Sequence, residues 1–373
     1  MKITKNGIIN PAAPGTRRAL CTFPSVACLP NGKILACYRV GSTKDCEDET
    51  IELRESSDLG TTWSDPWTPF PSFGIDGRRC SLKVIYLAPL AGGRLFATGM
   101  AVDRSSYPGK PLFNEATQGC LPTWIIVSES HDNGRTWESW RAVDTPEDIG
   151  PPSLTSNLLQ LADGRLAISV ESNKHYFDAS PWLQKVTYVY SSDGGRTWGN
   201  PVVVSRDPSG RIFNWDQRAG VTPDGAVVTF TWVYDSLGGE YRNIRRRYSL
   251  DGGCSWTEPE DLGFADQPSR PAIFNDSRVV LAWVDRFRSG SIRARAADSF
   301  RDPFPDSTEV VLYRSQAKSG SDQTSLSETL DEMSRWAYGL PYAEPLPNGE
   351  AMVVYYAGTP LATDICWARL SLA

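Results

Sequence analysis

Carboxylates, guanidinium groups, one histidine and several aromatics stand where they could act together in this 373-residue chain. Two carboxylates, one acting as acid and the other as base or nucleophile, are the minimum for ordinary glycoside hydrolysis. Asp45 with Asp216, or Asp178 with Asp216, supplies such a pair, and Asp285 is a further partner. His175, in Lys174-His175-Tyr176-Phe177-Asp178, has two readings. It is an acid–base group or sugar-hydroxyl ligand, or it is a core histidine held by a backbone carbonyl. Trp182 and Trp215 offer flat faces to sugar rings.

Two interleaved repeats must position these groups. The first is Ser-x-Asp-x-Gly-x-Thr/Ser-Trp, at Ser56–Trp63, Ser130–Trp137, Ser191–Trp198 and Ser249–Trp256. Its Asp accepts backbone hydrogen bonds and fixes a tight turn. Its Gly reaches a conformation that is costly for other residues, and its Trp buries apolar surface beneath the turn. The second repeat is a pair of apolar runs around a short turn: Asn31-Gly32, Gly92-Gly93, Asp163-Gly164, Asp224-Gly225, Asn275-Asp276 and Asn348-Gly349. Such turns between apolar runs are the strongest short hairpin signal. Six copies predict an all-β, six-bladed β-propeller of four-stranded antiparallel blades, one domain over 1–373. The fifth blade lacks the Asp turn, leaving Ala297-Asp298-Ser299-Phe300-Arg301-Asp302. The sixth ends after three strands, so residues 2–9 are expected to supply its fourth, closing the ring and removing exposed edges. Ser325-Leu326-Ser327-Glu328 reads as a capping box opening one helix.

Both turn types fall on one rim. The starts of first strands and the ends of second strands therefore fall on the other, where an axial site would draw its residues. First-strand starts bring Arg18, Arg79, Asp216, Arg218, Arg270 and Tyr338. Second-strand ends and the loops after them bring Arg39, Asp45, Asp48, Glu171, His175, Asp178, Asp285 and Arg286. This is an anion- or glycan-binding funnel, or a wet channel lined with ion pairs.

Composition excludes several classes. Net charge is −6 and lysine-rich tracts are absent, which argues against nucleic acid. Arg245-Arg246-Arg247 reads as a solvated strand face with one arginine turned inward. No apolar run is long enough to cross a bilayer, and the N-terminus lacks a signal-peptide core. A cytoplasmic location is expected, or a secreted one if a leader has been trimmed. The eight cysteines show no CxxC pair, and two histidines cannot build a multi-histidine metal site. No metal or cofactor is expected, and oligomeric state is unreadable.

The Ser-x-Asp-x-Gly-x-Thr/Ser-Trp turns resemble the Asp-box, or BNR repeat, of the sialidase superfamily of β-propellers, and the resemblance covers nearly the whole chain. It implies a carbohydrate substrate, a tyrosine nucleophile, an arginine triad and an aspartic general acid. Asp45 lies near the family's acid, with Asp48 the close alternative. Tyr338, in Trp336-Ala337-Tyr338-Gly339, falls at the nucleophile, with Tyr342 its rival. The sequence also departs from the family. Thr22-Phe23-Pro24 stands where the family carries its first arginine, leaving Arg18 or Arg39 to substitute. Trp232-Val233-Tyr234-Asp235 stands at the second, with Arg218 available from the neighbouring strand. The third has Arg270, Arg286 or Arg288. The chain is similar to sialidase-like bacterial proteins of unsettled substrate. The resemblance implies an exo-acting glycosidase on an acidic or substituted saccharide. A non-catalytic glycan- or protein-binding propeller is the alternative, as is a uronate lyase using Tyr338 or His175 as base.

Overall fold

The computed structural model describes residues 1–316 and 325–372, and the chain is all-β in a β-propeller arrangement. Its strands make five hydrogen-bonded sheets. Four are antiparallel sheets built on Arg78–Pro89 with Leu95–Asp103, Leu166–Glu171 with Lys185–Ser191, Ile212–Val221 with Val227–Asp235, and Val279–Asp285 with Ser291–Ala297. The fifth has seven strands. In it, Leu20–Cys28, Ile34–Gly41 and Thr50–Ser56 form one meander, and Tyr338–Pro345, Ala351–Thr359 and Ala362–Ser371 form another. The two meet through a single parallel pairing, Leu20 with Thr363. Lys2–Asn10 runs antiparallel along Ala362–Ser371, pairing Lys2 with Ser371. No helix among the described residues is long and apolar enough to cross a membrane.

The predicted hairpins close in one way. The backbone N–H of Leu29, Leu90, Leu161, Thr222, Phe274 and Leu346 donates to the carbonyl four residues on, at 2.8 to 2.9 Å. The Asp turns are equally uniform. In the first, Thr62 N and Thr62 Oγ1 donate to the two oxygens of Asp58 at 2.8 and 2.7 Å, and Gly60 N donates to Ser56 Oγ at 2.9 Å. The same bonds recur at Asp132, Asp193 and Asp251.

The turn glycines do more than bend the chain. Gly60, Gly134, Gly195 and Gly253 all have φ between 81° and 89°. A Cβ at Gly60 would press on Met352, in the other meander of the same seven-stranded sheet, at 2.5 Å, and at the other three on the preceding sheet: on Leu35 at 2.9 Å, Phe96 at 2.9 Å and Tyr190 at 2.3 Å. Left-handed backbone and close approach therefore demand glycine together. At the last of these, Tyr190 Oη also donates to the Gly253 carbonyl at 2.9 Å. Gly253→Ala is expected to destabilise the chain by about 1–3 kcal/mol, read as a lower urea midpoint at constant slope. An unchanged midpoint would refute the interlock.

Where the Asp turn is missing, an arginine takes over. Arg246 is buried and donates to the carbonyls of Phe300, Arg301 and Asp302, while Glu260 holds it at 2.6 Å. This is the inward arginine expected of the Arg245–Arg247 run, and it ties one sheet to the next. The predicted helix is Leu326–Met333. Ser325 Oγ accepts from Glu328 N, and the Glu328 carboxylate accepts from Ser325 N at 2.8 Å.

One irregularity shapes the site. Three inner strands carry β-bulges, between Thr22 and Ser25, Trp215 and Arg218, and Gly339 and Tyr342. Each holds a non-glycine residue in left-handed backbone: Phe23 at 51°, Asp216 at 46° and Leu340 at 46°. Bulges re-aim side chains, and all three of these residues line the axial cavity.

Candidate functional site

A cavity of about 760 Å³ opens on the rim opposite the Asp turns. Its floor and polar wall come from strand ends and from the loops that follow them. Glu171 ends Leu166–Glu171, Asp216 sits in the bulge of Ile212–Val221, and Asp45 lies in the loop after Ile34–Gly41. Trp182, Trp215, Trp232 and Trp336 supply aromatic faces. The helix Leu326–Met333 covers one side with Leu330 and Met333.

Glu171 and Asp216 adjoin but differ in surroundings. Glu171 Oε1 accepts from Thr155 Oγ1 at 3.0 Å and from the amide of Gln217, the residue after Asp216, at 2.9 Å. Burial, then the neighbouring Asp216 charge, pushes the Glu171 carboxyl up to about 8. It therefore holds its proton at neutral pH. Asp216 accepts from Gln267 Nε2 and lies 3.4 Å from Arg218 Nη2. Arg218 is buried, donating to Tyr86 Oη at 2.7 Å and to the Thr155 carbonyl. One carboxyl is set up as a proton donor, and the other is supported by amide and guanidinium donors.

Asp45 is set up differently. Burial raises its pKa, but Lys83 at 3.3 Å and Arg104 at 2.7 Å outweigh that and hold the carboxyl down at about 2. Its other oxygen accepts from Leu112 N at 2.6 Å. Asp45 thus belongs to a buried ion network with Glu49. Glu49 accepts from Arg39 Nε at 2.6 Å, Ser81 Oγ at 2.5 Å and Arg104 Nη2 at 2.9 Å, with Lys83 at 3.3 Å.

No family model matches the chain. It is 25% identical to the sialidase of Micromonospora viridifaciens over 209 residues, half of this chain and 31% of that protein, so the match spans less than a third of the relative. A protein of unknown function from Dyadobacter fermentans superposes with a TM-score of 0.78 at 22% identity, covering 100% of this chain and 99% of the other. The intramolecular trans-sialidase of Ruminococcus gnavus superposes with a TM-score of 0.65 at 14% identity, covering 98% and 97%. The chain is a sialidase-superfamily β-propeller.

Of the residues singled out in the sequence, this sialidase-superfamily propeller brings Asp45, Glu171, Trp182, Trp215, Asp216 and Arg218 to its cavity. The others lie elsewhere. Tyr338 does not line the cavity; it is buried against Tyr313, with ring centroids 5.4 Å apart, and its carbonyl accepts from Arg286. The cavity tyrosines are Tyr86 and Tyr356. His175 and Asp178 stand on an outer loop, where Asp178 accepts from Ser180 N. Arg18 is paired with Glu52 and Arg79 with Glu47; neither arginine lines the cavity, although Glu47 does. Arg39 is buried on Glu49, and Arg270 is bound to Glu344 and the Ala343 carbonyl. Asp48 accepts from Ser42, and Asp285 faces Ser289 and Arg293. Arg286 is buried with its guanidinium 3.8 Å from the Trp336 ring, behind the cavity wall. No free arginine triad is therefore assembled from these positions.

The sequence reading missed Lys44, Lys83, Gln267, Tyr86, Tyr356 and Trp336, all of which line the cavity. Lys83 carried a readable signal, since a charged residue inside the apolar run 82–88 must turn toward a partner.

Proposed function

We propose that this propeller is an exo-acting glycosidase whose substrate is a substituted, uncharged saccharide bound in the axial cavity. The observation that carries the reading is the Glu171–Asp216 pair: two adjacent cavity carboxyls in opposed environments, the arrangement that separates an acid from its partner. Glu171 gives its proton to the glycosidic oxygen as the bond to the anomeric carbon breaks. Asp216, aimed by its bulge, faces the positive charge that develops on the sugar ring. The tryptophan faces hold the ring, as aromatic walls with few polar groups do in small-molecule sites. The carbohydrate class is in keeping with the sialidase and the trans-sialidase to which the chain is similar.

Two expectations change in this reading. Asp45 is held as a carboxylate by two cations, so the acid's role passes to Glu171. The substrate is read as uncharged because no lining arginine among the described residues is free for a carboxylate: Arg104 and Arg218 already hold carboxylates, and of the unpaired lining lysines Lys44 is held well below the ordinary lysine range and Lys110 is exposed. The blades number six when the seven-stranded sheet is counted as two, which its single parallel pairing supports.

The test is a panel of reporter glycosides (sialosides, uronides, rhamnosides and fucosides), followed by both reporter release and unsaturated-product absorbance. Release from a neutral glycoside, lost in Glu171→Gln, is the expected result. Release from a sialoside alone would restore an anion-binding site, absorbance without release would make the enzyme a lyase, and silence throughout would favour a binding module.

A further inference from the structure

Lys44 is a lysine with no carboxylate to neutralise it. Its Nζ lies in the cavity lining, where it donates to the carbonyl of Met333 at 2.8 Å and to Tyr356 Oη at 2.9 Å. It also sits 4.8 Å from the centroid of the Tyr356 ring. Among the described residues it makes no ion pair, whereas Lys83, which also lines the cavity, pairs with Asp45 and Glu49.

Its charged surroundings are cationic. Arg286, on the loop after Val279–Asp285, Lys83, on Arg78–Pro89, and Arg39, on Ile34–Gly41, are the charged neighbours acting on it. The Lys83 and Arg39 charges are already taken up by Asp45 and Glu49. The Arg286 guanidinium has no ion pair among the described residues, and its Nη2 is buried without a hydrogen-bond partner. Burial first, and then these cations, hold the Lys44 ammonium well below the ordinary lysine range. A half-buried lysine set beside other cations is the arrangement that makes an amine nucleophilic.

We propose that Lys44 is the nucleophile of a carbonyl-binding subsite in this cavity, forming an imine with the aldehyde of a short or open-chain aldose, and that Tyr356 is its proton-transfer partner. This activity is separate from glycoside cleavage and does not require Glu171 or Asp216. The Lys44 nitrogen lone pair attacks the carbonyl carbon, and the carbonyl oxygen takes up one of the two amine protons to become a hydroxyl. Tyr356 Oη gives a proton to that hydroxyl, which departs as water as the C=N bond forms, and recovers one from the nitrogen. No oxidant or reductant enters. Tyr356 is well placed for the exchange, since its phenol oxygen already meets the amine.

Reductive trapping tests it. Wild-type protein is incubated at pH 6 with D-glyceraldehyde and cyanoborohydride, in a parallel arm with pyruvate, and the alkylated lysines are located by peptide mapping. Exposed Lys2 and Lys5 are the internal reference, because ordinary lysines are almost wholly protonated at that pH. The expected result is alkylation of Lys44 at least about tenfold faster than of Lys2 and Lys5, and slowed roughly tenfold or more in Tyr356→Phe. Lys44→Met removes this adduct and leaves the reference lysines unchanged; should that chain fail to fold, the wild-type map and Tyr356→Phe decide. Faster trapping of pyruvate than of glyceraldehyde overturns the aldose assignment. Labelling no faster at Lys44 than at the reference lysines overturns the subsite altogether, whatever the glycoside panel shows.

Discussion

Glu171→Gln is expected to cut turnover on the responsive reporter glycoside by about 10²–10⁴-fold with little change in KM, because the glutamine keeps the hydrogen bonds and loses only the transferable proton. The pH profile distinguishes this role from a structural one. Since burial and Asp216 raise the Glu171 carboxyl to about 8, the wild-type rate should fall as pH rises through that value and the donor form is lost. Asp216→Asn should lower turnover by a similar factor. It should also move what remains of the alkaline limb to lower pH, because the like charge that resists ionisation of Glu171 is gone. Linkage gives a second readout. Between the ordinary carboxylate range and about 8 the folded chain retains a proton that the unfolded chain has released, so stability falls as pH rises through that window and levels off above it. Glu171→Gln removes this slope. Near-wild-type turnover in Glu171→Gln would end its assignment as the acid.

Glu49→Ala is expected to be the most destabilising single change at this rim, at about 3–5 kcal/mol by urea unfolding, the range for stranding buried charges by removing one partner. Glu49 is wholly enclosed, and its removal leaves the Arg39 guanidinium with no carboxylate. Lys83 and Arg104 would share Asp45 alone. The sign of the pH effect is opposite to that at Glu171. The carboxyls of Asp45 and Glu49 are both held down by these cations. The stability they contribute is full above the ordinary carboxylate range and is lost as pH falls, for Asp45 through about 2. A loss below about 1 kcal/mol in Glu49→Ala would show that the network is no stronger than surface pairs.

The repeats were legible because each is a local code. The Asp turns and hairpins are written in consecutive residues, and the chain makes the expected bonds at each of them. Which rim carries polar groups also followed from strand direction, and that placed Asp45, Glu171, Asp216 and Arg218. Which of those groups are free to meet a ligand did not follow. Arg270 looked available until Glu344, distant in sequence, was found beside it, and Arg39 until Glu49 was. Tyr338 failed for a different reason. Leu340 lies in a bulge with φ at 46°, which breaks the alternation that would put residues 338 and 340 on one face. Leu340 reaches the cavity, and Tyr338 packs outward on Tyr313. A side chain's aim after a bulge is not encoded in a period of two.

The turn glycines set a rule for recombining this protein. Gly134 fits against Leu35, Gly195 against Phe96 and Gly253 against Tyr190, each on the sheet before its own. These receptors differ in shape, from an aliphatic tip to a phenol, although the turns that meet them are nearly identical. Shuffling whole sheets within the ring, or grafting one from a related chain, would therefore pair a turn with a foreign receptor. The transferable part is not a sheet but a joint: one turn together with the strand it rests on next door.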